Sequence, residues 1–244
     1  MEHELSGWIL YSDEHLLVIN KPPGLRVLPD GYHPEIEHVR SVLEPYYGRL
    51  WIVHRLDKET SGVLLLARTA QAHRALNLQF DRRLVEKVYH ALVLGNPPWE
   101  QLTIDRPLQV NGDRHHRTVV DFERGKAAVT FCQRLETFSG CALLSIQPKT
   151  GRTHQIRAHL AYLGHPILGD RLYGCAPTES SLPLFTERLA LHSQKLAIHH
   201  PQNGQRLWLE APYPPDFQGW LKQLQEVENR LSNLPKGIGS LMEE

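Results

Sequence analysis

A single carboxylate lies between basic side chains in the segment 54–62, which reads HRLDKETSG. The carboxylate belongs to Asp57, and the apolar run 63–67 (VLLLA) follows the segment at once. Such a run is long enough for a buried strand and too short for a helix. Asp57 is therefore predicted on a tight loop that enters a central strand, the rigid mounting that a catalytic group needs.

A second cluster of basic and polar side chains occupies residues 148–159, which read PKTGRTHQIRAH. Gly151 ends a predicted strand and the following residues open a predicted helix, and helix N-termini are suited to hold anions. His154 and His159 are five residues apart, so they would diverge around a helix and not share a metal ion. The segment predicts an anion site, and no metal site is predicted.

The charge of the chain is balanced in total and uneven along its length. Its 27 basic residues match its 27 acidic residues, although nucleic-acid binding draws much of its affinity from phosphate neutralisation. Residues 1–48 hold three bases against eight acids, residues 49–90 hold eight against four, and residues 141–175 hold four against one. The positive charge therefore accompanies the two candidate segments.

Both segments resemble motifs of one enzyme family. Segment 54–62 closely resembles the HRLD-x-x-TSG signature of the RluA-type pseudouridine synthases, and segment 148–159 resembles their T-G-R-x-H-Q-[IL]-R-x-H block. These enzymes detach uracil from its ribose in RNA, rotate it and rejoin it through carbon. Further matches are Asn20-Lys21-Pro22, GHPILGD at 164–170, and LHS at 191–193, where Ser193 replaces the family's alanine, so the resemblance covers about residues 10–213.

The resemblance implies catalytic roles for three residues. It makes Asp57 the indispensable catalytic residue, packs Tyr89 against the target base, and pairs Arg157 with Asp57. An extruded uracil needs an aromatic face, and a phenol can mediate a late proton transfer. An arginine beside a carboxylate keeps that carboxylate ionised and oriented. The residues expected to bind RNA are His54, Arg55, Lys87, Lys149, Arg152, His154 and Gln155.

The implied reaction needs no cofactor and no metal, and the sequence predicts a site for neither. Asp57 would act on the ribose, either as a nucleophile at C1′ or by drawing off the C2′ proton, and both routes stay open. Arg55 would fill the space that a flipped uridine leaves. Two other functions are considered: a catalytically inactive RNA-binding module, and a nucleoside hydrolase that releases uracil. A hydrolase needs a second carboxylate, and Glu59 is the near candidate.

Strand and helix signals predict an α+β protein. Strands are predicted at 8–10, 16–19, 63–67, 88–94, 116–121, 126–136, 141–147, 189–198 and 206–210, and helices at 36–47, 69–83, 152–163 and 216–231. Because strands often follow strands directly, we expect a mixed, mostly antiparallel sheet with flanking helices. The resemblance implies the pseudouridine synthase catalytic fold with a central RNA-binding cleft. One catalytic domain is expected over 1–232 and a flexible C-terminal tail over 233–244.

The expected setting is the cytoplasm. The first residues lack the apolar core of a signal peptide, and no apolar run approaches the roughly 20 residues that span a bilayer. The three cysteines are far apart in sequence, which fits reduced thiols. Only 53 residues precede His54, so we expect a short form without an N-terminal S4 RNA-binding domain.

The expected partner is RNA. A uridine in the tRNA anticodon arm is the first candidate for the substrate, with an rRNA hairpin close behind, because RNA bases are usually recognised in splayed loops. We expect a monomer with no obligatory protein partner and no membrane association.

Overall fold

The computed structural model describes residues 5–174 and 186–233. The strands are β1 Ile9–Ser12, β2 Leu16–Lys21, β3 Trp51–Ile52, β4 Ser61–Ala67, β5 Glu86–Leu94, β6 Gln101–Asp105, β7 Leu108–Gln109, β8 Val119–Val120, β9 Val129–Phe138, β10 Cys141–Pro148, β11 Leu191–His199 and β12 Arg206–Glu210. The helices are α1 Val39–Tyr47, α2 Ala70–Asp81, α3 Gln155–Tyr162 and α4 Pro215–Ser232.

Ten of these strands form one mixed sheet. Its order is β1-β2-β4-β11-β5-β10-β9-β6, with β12 paired to β11 and β3 paired to β4, and β7 and β8 form a separate hairpin. Within the sheet β4 and β11 are parallel, and the other pairs are antiparallel. The predicted α+β class with a mostly antiparallel sheet is confirmed.

The central strand β4 is buried on both faces of the sheet. Leu64 and Leu66 belong to the hydrophobic core on one face, and Val63 and Leu65 belong to the core on the other. Alternate residues of a strand point to opposite faces, so a strand covered on both sides reads as an unbroken apolar run. This explains why the sequence located β4 correctly.

Each face of the sheet is covered by a helix. Helix α2 contributes Ala72 and Leu76 to the core that contains Val63. Helix α4 contributes Phe217 and Trp220 to the opposite core, which contains Leu64. No helix within residues 5–174 and 186–233 is long and apolar enough to cross a membrane.

Several predicted element bounds were wrong. Helix α1 begins at residue 39 and not at 36, because the backbone N–H of His38 donates to Ser41 Oγ and the capped helix starts after it. Helix α3 begins at residue 155 and not at 152, because His154 has a left-handed backbone with φ of 52°. The strand predicted at 116–121 is reduced to β8. The predicted tail lies outside the described residues apart from Asn233.

Three short strands were missed by the sequence analysis, namely β3, β6 and β7. In β6, at the edge of the sheet, only Ile104 is buried, and β3 and β7 have two residues each. Such strands carry too little apolar alternation to give a sequence signal, because they are held by pairing with a neighbouring strand.

Candidate active site

Asp57 lies on the loop between β3 and β4, and backbone hydrogen bonds hold that loop. The N–H of Thr60 donates to the carbonyl of Asp57 at 3.1 Å. The carbonyl of Lys58 accepts from the N–H of Gly24 at 2.9 Å and from the buried ammonium of Lys21 at 3.1 Å. The end of β2 and the turn that follows it therefore hold the loop in place. This agrees with the rigid position predicted for Asp57.

Arg157 on α3 reaches Asp57 across 100 residues of sequence. Its Nη1 donates to Asp57 Oδ2 at 3.0 Å, while Nε and Nη2 donate to the two carboxylate oxygens of Asp170 at 2.8 and 2.9 Å. Burial lowers the pKa of Arg157, but the bonds to Asp170 and Asp57 outweigh it and raise that pKa above its usual value. The ion pair that the family resemblance implied is present.

Asp170 is the component of this site that the sequence analysis did not assign. Its side chain is fully buried, and Oδ1 also accepts from the N–H groups of Leu172 and Tyr173 at 3.0 Å each. Two signals were available. Asp170 ends the matched stretch GHPILGD, and it is the only acidic residue within 141–175.

His154 and Tyr173 flank the ion pair. His154 Nε2 lies 3.8 Å from Asp57 Oδ2, and its Nδ1 lies 3.2 Å from the hydroxyl of Tyr173. That hydroxyl accepts from the N–H of Thr118, which leaves its proton free to donate to Nδ1. Burial lowers the pKa of His154 against the opposing charge of Asp57, which favours the neutral ring. The Tyr173 ring also lies 5.0 Å from the Arg157 guanidinium.

Tyr89 lies on β5, which pairs with β11, and β11 in turn pairs with β4. It is 9% exposed and faces Ser193 across the β5–β11 pair. Burial raises the pKa of Tyr89 to about 12, so the phenol stays protonated at neutral pH.

The predicted site residues meet at one cleft. A cavity of about 330 Å³ is lined by nine of the ten, and Lys149 instead lines a neighbouring groove. Among the described residues that line the cavity, Asp57 is the only carboxylate. Glu59, the other carboxylate considered, does not line it.

Two residues expected to bind RNA are occupied by the protein. The amide oxygen of Gln155 accepts from Thr150 Oγ1 and the Arg152 N–H, and its nitrogen donates to Val129 O and Thr130 Oγ1. An amide has no further capacity. Gln155 therefore holds the 149–154 loop, and its predicted binding of RNA stays a prediction.

His54 is a structural link as well as a lining residue. Its Nε2 accepts from the N–H of Leu65 at 3.0 Å, and its ring stacks on Phe80 with centroids 5.1 Å apart. Burial and the charge of Lys87 lower the pKa of His54 to about 3, so it carries no positive charge for a phosphate. The ring ties the start of the catalytic loop to β4.

The remaining cations are open to an anion. Among the described residues, no carboxylate lies within ion-pair distance of Arg55, Lys87, Lys149 or Arg152. The Arg152 guanidinium donates to the carbonyl of Ala127, and Arg55 is exposed at the rim. No cluster of three potential metal ligands is present among the described residues.

Comparison with known proteins decides the family. The sequence model of the RNA pseudouridylate synthase family matches residues 15–162, more than half of the chain. The chain belongs to this family. Its proteins are isomerases, so the predicted family, enzyme class and RNA substrate are confirmed.

Relatives of known sequence and structure agree. An uncharacterized RNA pseudouridine synthase of Chloroflexus aurantiacus is 44% identical over 85% of this chain, which spans 66% of that relative. Ribosomal large subunit pseudouridine synthase C of Buchnera aphidicola is 39% identical over 88% of this chain and 70% of the relative. The solved structure of human RNA pseudouridylate synthase domain containing 4 has a TM-score of 0.77 at 29% identity, covering 91% of this chain and 95% of the other.

Proposed function

We propose that this pseudouridine synthase acts on a uridine flipped out of structured RNA, with Asp57 as the catalytic residue. The observation that carries the proposal is the isolation of Asp57. It is the only carboxylate among the described residues lining the cleft, and Arg157 fixes one of its oxygens. The cavity of about 330 Å³ has room for a base, which an enzyme acting on a base must extract from its stack.

The reaction redistributes bonds without a net gain or loss of atoms. The N1–C1′ bond breaks, the base rotates, and C5 attacks C1′ as the C5 proton departs and N1 is protonated. Asp57 acts on the ribose in one of two ways, as a nucleophile at C1′ or as a base toward the C2′ proton. A primary isotope effect with C2′-deuterated uridine would identify the second route, and its absence the first.

Arg157 and Tyr89 support this step from two sides. Arg157 holds the Asp57 carboxylate in place at the cleft through the hydrogen bond from Nη1 to Oδ2 at 3.0 Å. Tyr89 offers the base an aromatic surface and a neutral hydroxyl.

Arg55 is proposed to occupy the stack that the uridine leaves. It is exposed two residues before Asp57, and no ion pair holds it among the described residues. An Arg55→Ala variant that turned over RNA at the wild-type rate would remove this role.

The RNA is proposed to be a tRNA anticodon arm first and a ribosomal RNA hairpin second. The Buchnera relative is named for the ribosomal large subunit, so ribosomal RNA belongs in every assay. We place the enzyme in the cytoplasm as a monomer. The free, buried thiols of Cys132 and Cys141 fit a reducing compartment, whereas Cys175 lies outside the described residues.

The deciding experiment measures tritium release from C5-tritiated uridine in total tRNA and in ribosomal RNA. Wild type is expected to release tritium from one of them, Asp57→Asn to release none, and Glu59→Gln to match wild type. Equal release by wild type and Asp57→Asn would overturn the assignment of Asp57.

Chromatography of the same reactions separates the alternatives. Free uracil, lost in Glu59→Gln, would indicate a nucleoside hydrolase with two carboxylates. RNA binding without tritium release from either RNA would indicate a binding module.

A further inference from the structure

A second cavity of about 340 Å³ opens beside the candidate active site. It is bounded by the end of α2, the start of β5 and the loop after β10. We call it the basic groove and define it by Phe80, Arg83, Lys87, Lys149, Gly151 and Arg152. Phe80, Lys87, Gly151 and Arg152 also line the active-site cleft, so the two cavities adjoin.

The basic groove carries four cations against one lining carboxylate, that of Asp81. None of the four is within ion-pair distance of an acidic side chain among the described residues. Lys87 is half-buried, and burial lowers its pKa. A partly buried cation that has no ion-pair partner is stabilised strongly by an anion that enters the groove.

Arg83 adds a backbone observation. It follows α2 with φ of 58°, where its N–H donates to the carbonyl of Phe80 and the N–H of Leu84 donates to that of Gln79. This is the left-handed position after a helix at which glycine is preferred. A side chain there costs about 1 kcal/mol of strain, and the side chain present is a guanidinium that lines the groove.

We infer that the basic groove binds the sugar–phosphate backbone of the RNA strand on one side of the flipped uridine. The inference rests on the proposed function, because an RNA whose uridine enters the cleft continues on both sides of that uridine, and the basic groove adjoins the cleft. Charge complementarity and the residues shared with the cleft identify the ligand as RNA phosphodiesters. Arg83 and Lys149 bind outside the cleft, whereas Lys87 and Arg152 lie at the junction.

The test measures binding of total tRNA and ribosomal RNA between 50 and 200 mM salt by filter retention, which needs no turnover. Two variants remove groove cations, Arg83→Gly and Lys149→Gln. Glycine adopts the left-handed backbone of residue 83 without strain, so we expect Arg83→Gly to keep the fold. Weaker binding by this variant would therefore report the loss of the side chain and not misfolding. Arg230→Gln and Lys222→Gln, both exposed on α4 away from either cavity, are the matched controls.

Each groove variant is expected to weaken binding three- to tenfold at low salt. The slope of log K against log salt should become shallower by about 0.7 for each phosphate that the variant no longer neutralises. The controls should keep the wild-type slope. Groove variants whose slopes match the controls would overturn the inference.

The two proposals fail in different ways. If wild type releases no tritium but the groove variants show a weaker salt dependence of binding than the controls, the proposed catalytic role of Asp57 fails. RNA binding by the groove is then still supported. If wild type releases tritium and the groove variants bind like the controls, the groove inference alone fails.

Discussion

Arg157 presents only Nη1 to Asp57, because Asp170 binds its Nε and Nη2 with both carboxylate oxygens. Two parallel hydrogen bonds fix a guanidinium in its plane, and Asp170 is itself fixed by two backbone N–H groups. The direction of the one remaining bond, and with it the position of Asp57 Oδ2, therefore depends on a carboxylate that does not line the cleft.

Asp170→Asn should lower kcat about 10- to 100-fold with KM changed less than about threefold. The amide nitrogen cannot accept, so the paired bonds from Nε and Nη2 of Arg157 to two oxygens are lost, and a displacement of about 1 Å at a reacting group costs about that much. Tritium-release kinetics on the RNA that wild type accepts measure the two constants, well below the melting temperature. Asp105→Asn, which replaces an exposed carboxylate, is the control. A wild-type kcat in Asp170→Asn would show that Arg157 does not need its hydrogen bonds to Asp170 for catalysis.

Some features of this site could be predicted from the sequence, and others could not. Asp57 and Arg157 were paired by motif resemblance, and β4 was located by an apolar run that reflects burial on both faces. Local patterns could not reveal what Gln155 contacts, since two of its four partners, Val129 and Thr130, lie on a strand about 25 residues away in sequence.

The sheet order depended on tertiary contacts in the same way. Strands β4 and β11 are parallel neighbours more than 120 residues apart, a pairing that no local signal specifies. The importance of Asp170 also depended on this assembly, because only the folded chain brings it behind Arg157.

Tyr89→Phe should separate stacking from proton transfer. The ring remains, so KM should change less than about threefold, whereas loss of the hydroxyl should lower kcat about 100-fold if it mediates proton transfer. Burial raises the pKa of Tyr89 to about 12, so no alkaline limb from this phenol is expected below about pH 9 in the wild-type rate profile. Tyr89→Leu should raise KM as well, and a Phe variant with full kcat would leave the hydroxyl without a role.

Ser193→Ala tests whether the residue that faces Tyr89 across the β5–β11 pair contributes to catalysis. It removes the hydroxyl of the residue that faces Tyr89 across the β5–β11 pair and introduces the alanine that the resembled family carries. We expect kcat within about threefold of wild type, because the base still meets the same ring. A loss as large as that of Tyr89→Phe would instead make Ser193 a positioning residue.

Helix α4 is expected to position the catalytic loop through one ion pair. Arg188 binds both oxygens of Asp216 at 2.6 and 2.9 Å and donates from Nη1 to the carbonyl of Glu59 at 3.1 Å. Asp216→Asn should therefore lower kcat about three- to tenfold at unchanged KM. Glu226→Gln on the same helix removes only an exposed pair with Lys222 and should leave kcat unchanged. Equal kinetics of the two variants would separate α4 from catalysis.

The stability of the protein should fall on mild acidification because of His192. Its Nε2 lies 3.2 Å from the Ala211 carbonyl, which only accepts, so Nε2 carries the proton and Nδ1 accepts from Ser61 Oγ at 2.9 Å. Burial lowers the pKa of this neutral ring to about 4. In the unfolded chain a histidine has a pKa near 6.5, so the unfolded state binds more protons between these values and the free energy of unfolding decreases as pH falls.

Urea unfolding at pH 7.5 and pH 5 measures this contribution. From His192 alone the loss should be about 2 kcal/mol, since each unit of pKa difference that is traversed contributes about 1.4 kcal/mol. His192→Gln should be less stable at pH 7.5 but lose correspondingly less on acidification, whereas His115→Gln, on the exposed β7–β8 hairpin, should keep the wild-type difference. If His192→Gln loses as much as wild type between the two pH values, the ring is not held neutral by its burial.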